Sequence, residues 1–417
     1  MKKYVSSSLT AVIIAGLVCQ ITQVPAYGQG SAMLQLQMVA ATGVGFDGEA
    51  ADPDVAWINF RNGDVHVQRN GEDKPKRIKD SNADSVGFAM GSEGTIAWVN
   101  FFRNHLQVLR PGFKDQMDLG PAYPESVRVG REGTVAWVKD NFSKNLAILR
   151  PGSEQPKELK GSSPVAESIF VSPHGVVAWV RSNDNAVCAV WPGGGNEVFV
   201  VPDSQGASPE GLVATRFEIV WFDLRNEKLK MFYAGVTQPV VIGEGYPFAN
   251  SIVTGLDGTI AWMDFQSETA RILRPFTREL IKSESKPHVQ CIQVGDDGTV
   301  VWQDRRTNNM HILRPGADKE EIISDGKGDP WSIGIGPDGT VVWQKHFWGK
   351  PVYIRPGDKE VTIIKDSRVD NRTIGIGAGD TIAWMDMKGN LHILDSSGSE
   401  KVIPKIKGQK DTLIIQK

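Results

Sequence analysis

Three features of this 417-residue sequence predict an all-β fold, a β-propeller of about nine four-stranded antiparallel blades. One segment, GTVVWQDRRTNNMHILRPG at 298–316, recurs in close copies at 94–112, 133–152, 258–276 and 339–357, with weaker copies between them. Nine tryptophans keep the register: Trp57, Trp98, Trp137, Trp179, Trp221, Trp262, Trp302, Trp343 and Trp384 stand 39 to 42 residues apart. Such a period belongs to propeller blades or to helical solenoids. Composition decides between the two, since each unit consists of short runs of Val, Ile, Thr and Trp broken by Gly, Pro, Asp and Asn. Helical spacing of apolar positions is not sustained over a helix length without an interrupting Gly or Pro.

The unit at 332–364 shows how four strands arise. SIGIG (332–336) is the first, and Pro337, Asp338 and Gly339 supply a tight reversal. TVVWQ (340–344) follows, then a polar and aromatic loop, then PVYIR (351–355), stopped by Pro356 and Gly357. EVTII (360–364) is the fourth. The first unit is irregular: TGVGFDG (42–48) matches the pattern, and an insertion then delays Trp57. The fifth is the most divergent, with Thr215, Arg216, Phe217 and Glu218 in place of the Asp-Gly turn. Nine units lie just beyond the usual four to eight blades, so eight blades plus a divergent unit is the alternative. Two apolar segments, LQLQMV (34–39) and TLIIQ (412–416), exceed four strands per unit. At least one is expected to complete a blade begun at the other end of the chain, leaving no open sheet edge.

Residues 1–28 read as a signal peptide, with Lys2 and Lys3, an apolar core from Leu9 to Val18, and small residues near Gly28. Residues 29–417 then form a single propeller domain, expected as a periplasmic or secreted monomer. No apolar run is long enough for membrane insertion. With 46 Lys and Arg against 49 Asp and Glu and no block of like charge, nucleic acid is not an expected partner. Cys188 and Cys291 fall in different units and read as separate buried thiols.

The recurrent tryptophans sit among Val, Ile and Ala in second strands and read as core. The aspartates two residues later, Asp223, Asp264, Asp304 and Asp386, can accept backbone N–H bonds in the following turn. Arg110, Arg150, Arg274, Arg314 and Arg355 of the LRPG ends read as scaffold, solvated or paired along blade edges. His66, His311 and His392 read as strand surface. Nucleophile elbows, zinc-binding helices, calcium loops and phosphate loops have no match, so no catalytic residue, metal or cofactor is assigned.

The string VVWQDRRTNNMHILRPG, preceded by DPWSIGIGPDG, resembles the repeats of TolB-like, WD40-like bacterial β-propellers. Trp302, Gln303, Asp304, Arg305 and Asn308 are the nearest matches. The resemblance is to the repeat and implies a propeller. LRPG replaces the Asp-rich strand end of that pattern, and the separate N-terminal α/β domain of that pattern is not expected before the propeller.

The function these features favour is an exported, non-catalytic module that binds a protein or glycan partner on one face of the ring. The alternative is a channel-mouth enzyme of lyase or hydrolase type, assembled from several blades. Loops joining second to third strands carry the expected binding residues: Phe101, Phe102 and Arg103; Arg305 and Arg306; His346, Phe347 and Trp348. Phe142 and Phe265 belong to the same set, and Trp331, Tyr123, Tyr246 and Phe248 join them from the loops entering first strands. Aromatic residues mixed with Arg are the composition of binding hot spots.

Overall fold

In the computed structural model the described residues are 40–41, 54–404 and 413–415, less short stretches at 60–61, 70–71, 73, 92, 141–143, 194–196, 245–246, 249–250, 276–279, 289–290, 325–326, 346–348, 365–367 and 378–380. Residues 1–39, which include the expected leader and LQLQMV, and residues 42–53 lie outside them, as do Phe142, Tyr246, His346, Phe347 and Trp348.

The strands pair into nine antiparallel sheets, each ordered first to fourth strand as the chain runs. Blade seven is typical, with strands Gln293–Val294, Val300–Gln303, Met310–Leu313 and Glu321–Ile323. The divergent fifth unit is a full blade with longer strands, Ala207–Ala214, Glu218–Asp223, Lys228–Tyr233 and Val240–Glu244. Nine blades, not eight with an extra unit, are therefore present.

In blade eight the first strand is shorter than SIGIG suggests. Pro330–Ser332 forms a 3-10 turn, and only Gly334–Ile335 pairs with the next strand. The Ser332 hydroxyl accepts the Gln344 N–H at 2.9 Å and so replaces a ladder bond. Ser126, Ser168 and Ser251 do the same for Val138, Val180 and Met263. In blade seven Cys291 takes this place, its sulfur 3.1 Å from the Gln303 nitrogen. Cys291 is fully buried, its thiol pushed up to about 12 by burial, which makes it an inert structural thiol.

The core is a series of seams between adjacent sheets. Ile58 and Val67 of blade one pack with Phe88 and Trp98 of blade two, and equivalent clusters follow around the chain. The last seam packs Ala383, Met385 and Leu391 of blade nine on Val55 and Trp57 of blade one, which closes the ring. All nine tryptophans are buried, with Trp98, Trp137, Trp179, Trp221, Trp343 and Trp384 at 0% exposure. Trp98 and Trp179 also donate their indole N–H to the Ser81 and Ser162 carbonyls at the end of the preceding blade, at 3.2 and 3.0 Å.

Closure is shared between the termini. Ala40 and Ala41 pair with Val55 and Asp54, and Leu413, Ile414 and Ile415 pair with Asn59, Ile58 and Trp57. Two short segments from opposite ends of the chain thus form the innermost strand of blade one. The C-terminal surplus strand completes a blade begun at the N-terminus, as its sequence predicts.

The LRPG arginines are scaffold of another kind than edge residues. Arg150, Arg274 and Arg314 each donate to the carbonyl of a turn glycine in the next blade, Gly175, Gly298 and Gly339. Arg110 reaches the Arg150 and Ser153 carbonyls at 2.6 and 2.8 Å, and Arg355 the Ser396 carbonyl at 3.2 Å. Each guanidinium therefore ties its blade to the next. The turn glycines accept these bonds in the left-handed region, with φ of +87° at Gly298 and +86° at Gly339, where a side chain would be strained. The glycine that ends the inner strand has a different purpose: a β-carbon at Gly91 would stand 2.5 Å from the Gly130 carbonyl oxygen of the next blade. Only a bare backbone lets neighbouring inner strands approach so closely.

Candidate functional site

Strand order places the loops between second and third strands on one face, and the turns between first and second strands on the other. In blades two, five, six, seven and nine the loop of the first face begins with a capped reversal. The Asp304 carboxylate accepts the Arg306 and Thr307 N–H groups at 2.9 and 2.7 Å. Asp223, Asp264 and Asp386 accept from Arg225, Gln266 and Lys388, and Asn100 from Phe102 and Arg103. The expected role of these aspartates is present, and its consequence is positional: a fixed turn pushes the next one or two side chains outward.

What stands at that outward position differs between blades. Phe101 and Phe102 are 62% and 76% exposed, their rings edge to face at 5.6 Å. Leu224, Phe265 and Met387 occupy the first loop position in blades five, six and nine at 46%, 54% and 54% exposure. Arg103, Arg305 and Arg306 are exposed beside them. Phe265 also touches Phe248 from the loop entering blade six, with ring centres 5.9 Å apart. Tyr123 instead folds onto the blade, where its hydroxyl donates to Glu125 at 2.7 Å. Trp331 lies in the turn entering blade eight, and its side chain is outside the described residues. Leu224 and Met387 escaped sequence reading because neither is aromatic; their signal is the position directly after the capping Asp.

The two faces differ in charge. Among the described residues, the loops between second and third strands carry ten Lys and Arg against five Asp and Glu, while the turns between first and second strands carry two against six. One set of loops is basic and apolar, and the other set is acidic.

The acidic turns converge on the axis of the ring. Arg131 in the turn of blade three donates to Asp296 in the turn of blade seven at 3.2 Å, although the two are 165 residues apart. Inner turns of blades on opposite sides can meet only across the channel. Both side chains are nearly buried, at 10% and 7% exposure. Burial pushes the Asp296 carboxyl up to about 7, Asp297 and Asp257 add to the rise, and Arg131 opposes it. His174 in the adjacent turn of blade four is lowered by burial and by Arg216 and Arg131. In blade two, burial pushes Glu93 up to about 6 against its bonds from Thr95.

A carboxyl raised on folding keeps its proton where the unfolded chain has already lost one. Its contribution to stability is therefore complete below the ordinary carboxylate pKa and is lost as pH rises through about 7 for Asp296. The Asp296→Asn variant removes this titration at nearly constant shape. Its stability relative to the parent should rise between about pH 4 and pH 7, by at most about 1.4 kcal/mol per pH unit. Urea unfolding across that range reads the difference, and parallel pH profiles would show that Asp296 is not raised.

The three histidines of the third strands are not strand surface. His66, His311 and His392 are 6%, 4% and 8% exposed and stack on Trp57, Trp302 and Trp384 at centroid distances of 5.4, 5.7 and 5.0 Å. Register sets this, since each lies directly opposite its Trp on the face that meets the preceding blade. Lys230 and Arg271 hold the equivalent place in blades five and six and pair with Asp223 and Asp264 at 2.9 and 3.1 Å. His392 likewise lies between Asp386 at 3.2 Å and Glu400 at 2.5 Å. Asp223, Asp264 and Asp386 thus each cap a turn and also pair with the basic side chain that stands opposite the Trp. Among the described residues, no group of three or more His, Cys, Asp or Glu is placed to hold a metal ion. No helix among them is long and apolar enough to cross a membrane.

No protein-family model matches the chain, and no curated protein matches it. Solved structures with a similar course of chain include a streptogramin B lyase, 10% identical over 74% of this chain and 91% of that one, with a TM-score of 0.39. Apo AztD from Citrobacter koseri is 12% identical over 75% of this chain and 94% of that one, with a TM-score of 0.46. TolB from Acinetobacter baumannii is 10% identical over 57% and 65%, with a TM-score of 0.32. The resemblance to TolB-like propellers stands at the level of the repeat only.

Proposed function

We propose that this chain is an exported, non-catalytic propeller that binds a protein partner through the face formed by the loops between second and third strands. The observation that carries the reading is the exposure of Phe101 and Phe102 at 62% and 76%, with Leu224, Phe265 and Met387 exposed at the matching loop position of other blades. Isolated exposed apolar groups are ordinary on protein surfaces. Here they recur at one structural position, on turns held by buried capping groups, which is how a rigid scaffold presents loops for recognition. Export rests on the sequence of residues 1–28.

The test compares two variants of the full chain. Phe101→Ser, Phe102→Ser and Phe265→Ser together remove the apolar apices; Phe113→Ser removes an equally exposed ring, 57% accessible, from the opposite face. Chemical cross-linking to exported proteins of the host is then read by mass spectrometry. The reading expects cross-linked partners to be lost about tenfold or more with the triple variant and kept with Phe113→Ser, as anchor residues dominate binding energy. Loss with Phe113→Ser alone would place the interface on the other side.

A further inference from the structure

Resting on that reading, we infer that the partner presents an acidic, amphipathic protein surface, in which carboxylates alternate with apolar side chains. Two features of these loops point to it. The loops hold ten Lys and Arg against five Asp and Glu among the described residues, on a chain whose overall balance is acidic, 46 against 49. The cations also follow the apolar apices directly: Arg103 after Phe101 and Phe102, Arg225 after Leu224, Lys388 after Met387. A ligand matching this pattern must supply an apolar group and an anion within a few ångströms of each other, at more than one blade.

Protein chemistry meets that requirement better than a uniform polyanion. Acidic groups are interspersed on the face: Glu268 lies between Lys286 and Arg305 at 2.6 and 2.9 Å, and Asp184 pairs with Arg181 at 2.5 Å. A densely anionic bilayer or sulfated glycan would meet these carboxylates with like charge, and the glycan would offer nothing to the phenyl rings. Discrete carboxylates on a folded or helical partner can be placed beside the cations alone. Complementary charge of this kind speeds encounter and is weakened by salt.

The probe is a synthetic helical peptide with Leu and Phe on one face and Glu on the flanks. A copy with Lys for Glu and vesicles containing phosphatidylglycerol serve as alternatives. Fluorescence anisotropy with the full chain at low and high salt should show the acidic peptide binding, weakened about tenfold by salt, with the Lys copy and the vesicles unbound. The Arg103→Glu and Arg306→Glu double variant changes two exposed side chains and should lose the peptide while keeping the parent melting temperature. Equal binding of both peptides, binding of vesicles alone, no binding, or full binding by the double variant would each overturn the inference. Partners cross-linked through the phenylalanine apices yet undisturbed by excess acidic peptide would overturn only the acidic chemistry. Loss of the face itself appears separately, in the Phe113→Ser comparison.

Discussion

Replacing Trp98 with alanine is expected to destabilise the protein by about 3–5 kcal/mol, the range for truncating a fully buried aromatic side chain. Trp98 is 0% exposed and packs in the seam between blades one and two with Ile58, Val67 and Phe88. Its indole N–H also reaches the Ser81 carbonyl of blade one at 3.2 Å, so the substitution removes a bond between blades as well as packing volume. Ser81 retains the Asn100 amide as a partner, which keeps its carbonyl satisfied and leaves the cavity as the main cost. Denaturant unfolding measures the change, and an unchanged midpoint would show that the Trp ladder does not carry the core. A repeat array distributes stability over neighbouring interfaces, so the loss should appear first in amide protection of blades one and two.

The period, the strand count and the burial of the tryptophans could all be read from the sequence, because each depends on residues close in the chain. The Asp-capped loops belong to the same class: Asp304 and the N–H groups of Arg306 and Thr307 lie within three residues. What escaped reading depends on the neighbouring blade. Arg274 looks like an edge residue until Gly298 of the next sheet is placed against it. His66 and His392 look like surface by alternation, yet both strand faces of a blade are covered by adjacent sheets, so alternation does not mark solvent. The Arg131–Asp296 pair crosses the ring, and no local pattern could announce it. Of the expected binding residues, Phe101, Phe102, Arg103, Arg305 and Arg306 stand exposed on one face, while His346, Phe347 and Trp348 lie outside the described residues.

Deleting residues 410–417 should open the ring. The second strand of blade one spans Asp54–Asn59, and the C-terminal strand covers Trp57, Ile58 and Asn59 while Ala40 and Ala41 cover only Val55 and Asp54. Without Leu413–Ile415, half of that inner edge loses its ladder partner, next to the seam where Val55 and Trp57 pack on Ala383 and Met385 of blade nine. Blade nine ends in LHILDSSG, so no LRPG arginine follows its third strand, and the described tie across the outer loops is one bond from Lys401 to the Glu72 carbonyl at 3.0 Å. An unpaired inner strand with an apolar flank is a template for pairing with another chain. The truncated protein is therefore expected to unfold at clearly lower denaturant, by about 2–4 kcal/mol, comparable to losing one buried aliphatic side chain, and to sediment as concentration-dependent oligomers. Adding a synthetic peptide of residues 410–417 should restore the parent behaviour by reoccupying the edge. A truncated chain that is monomeric and as stable as the parent would mean that Ala40–Ala41 and the side-chain seam close the ring unaided.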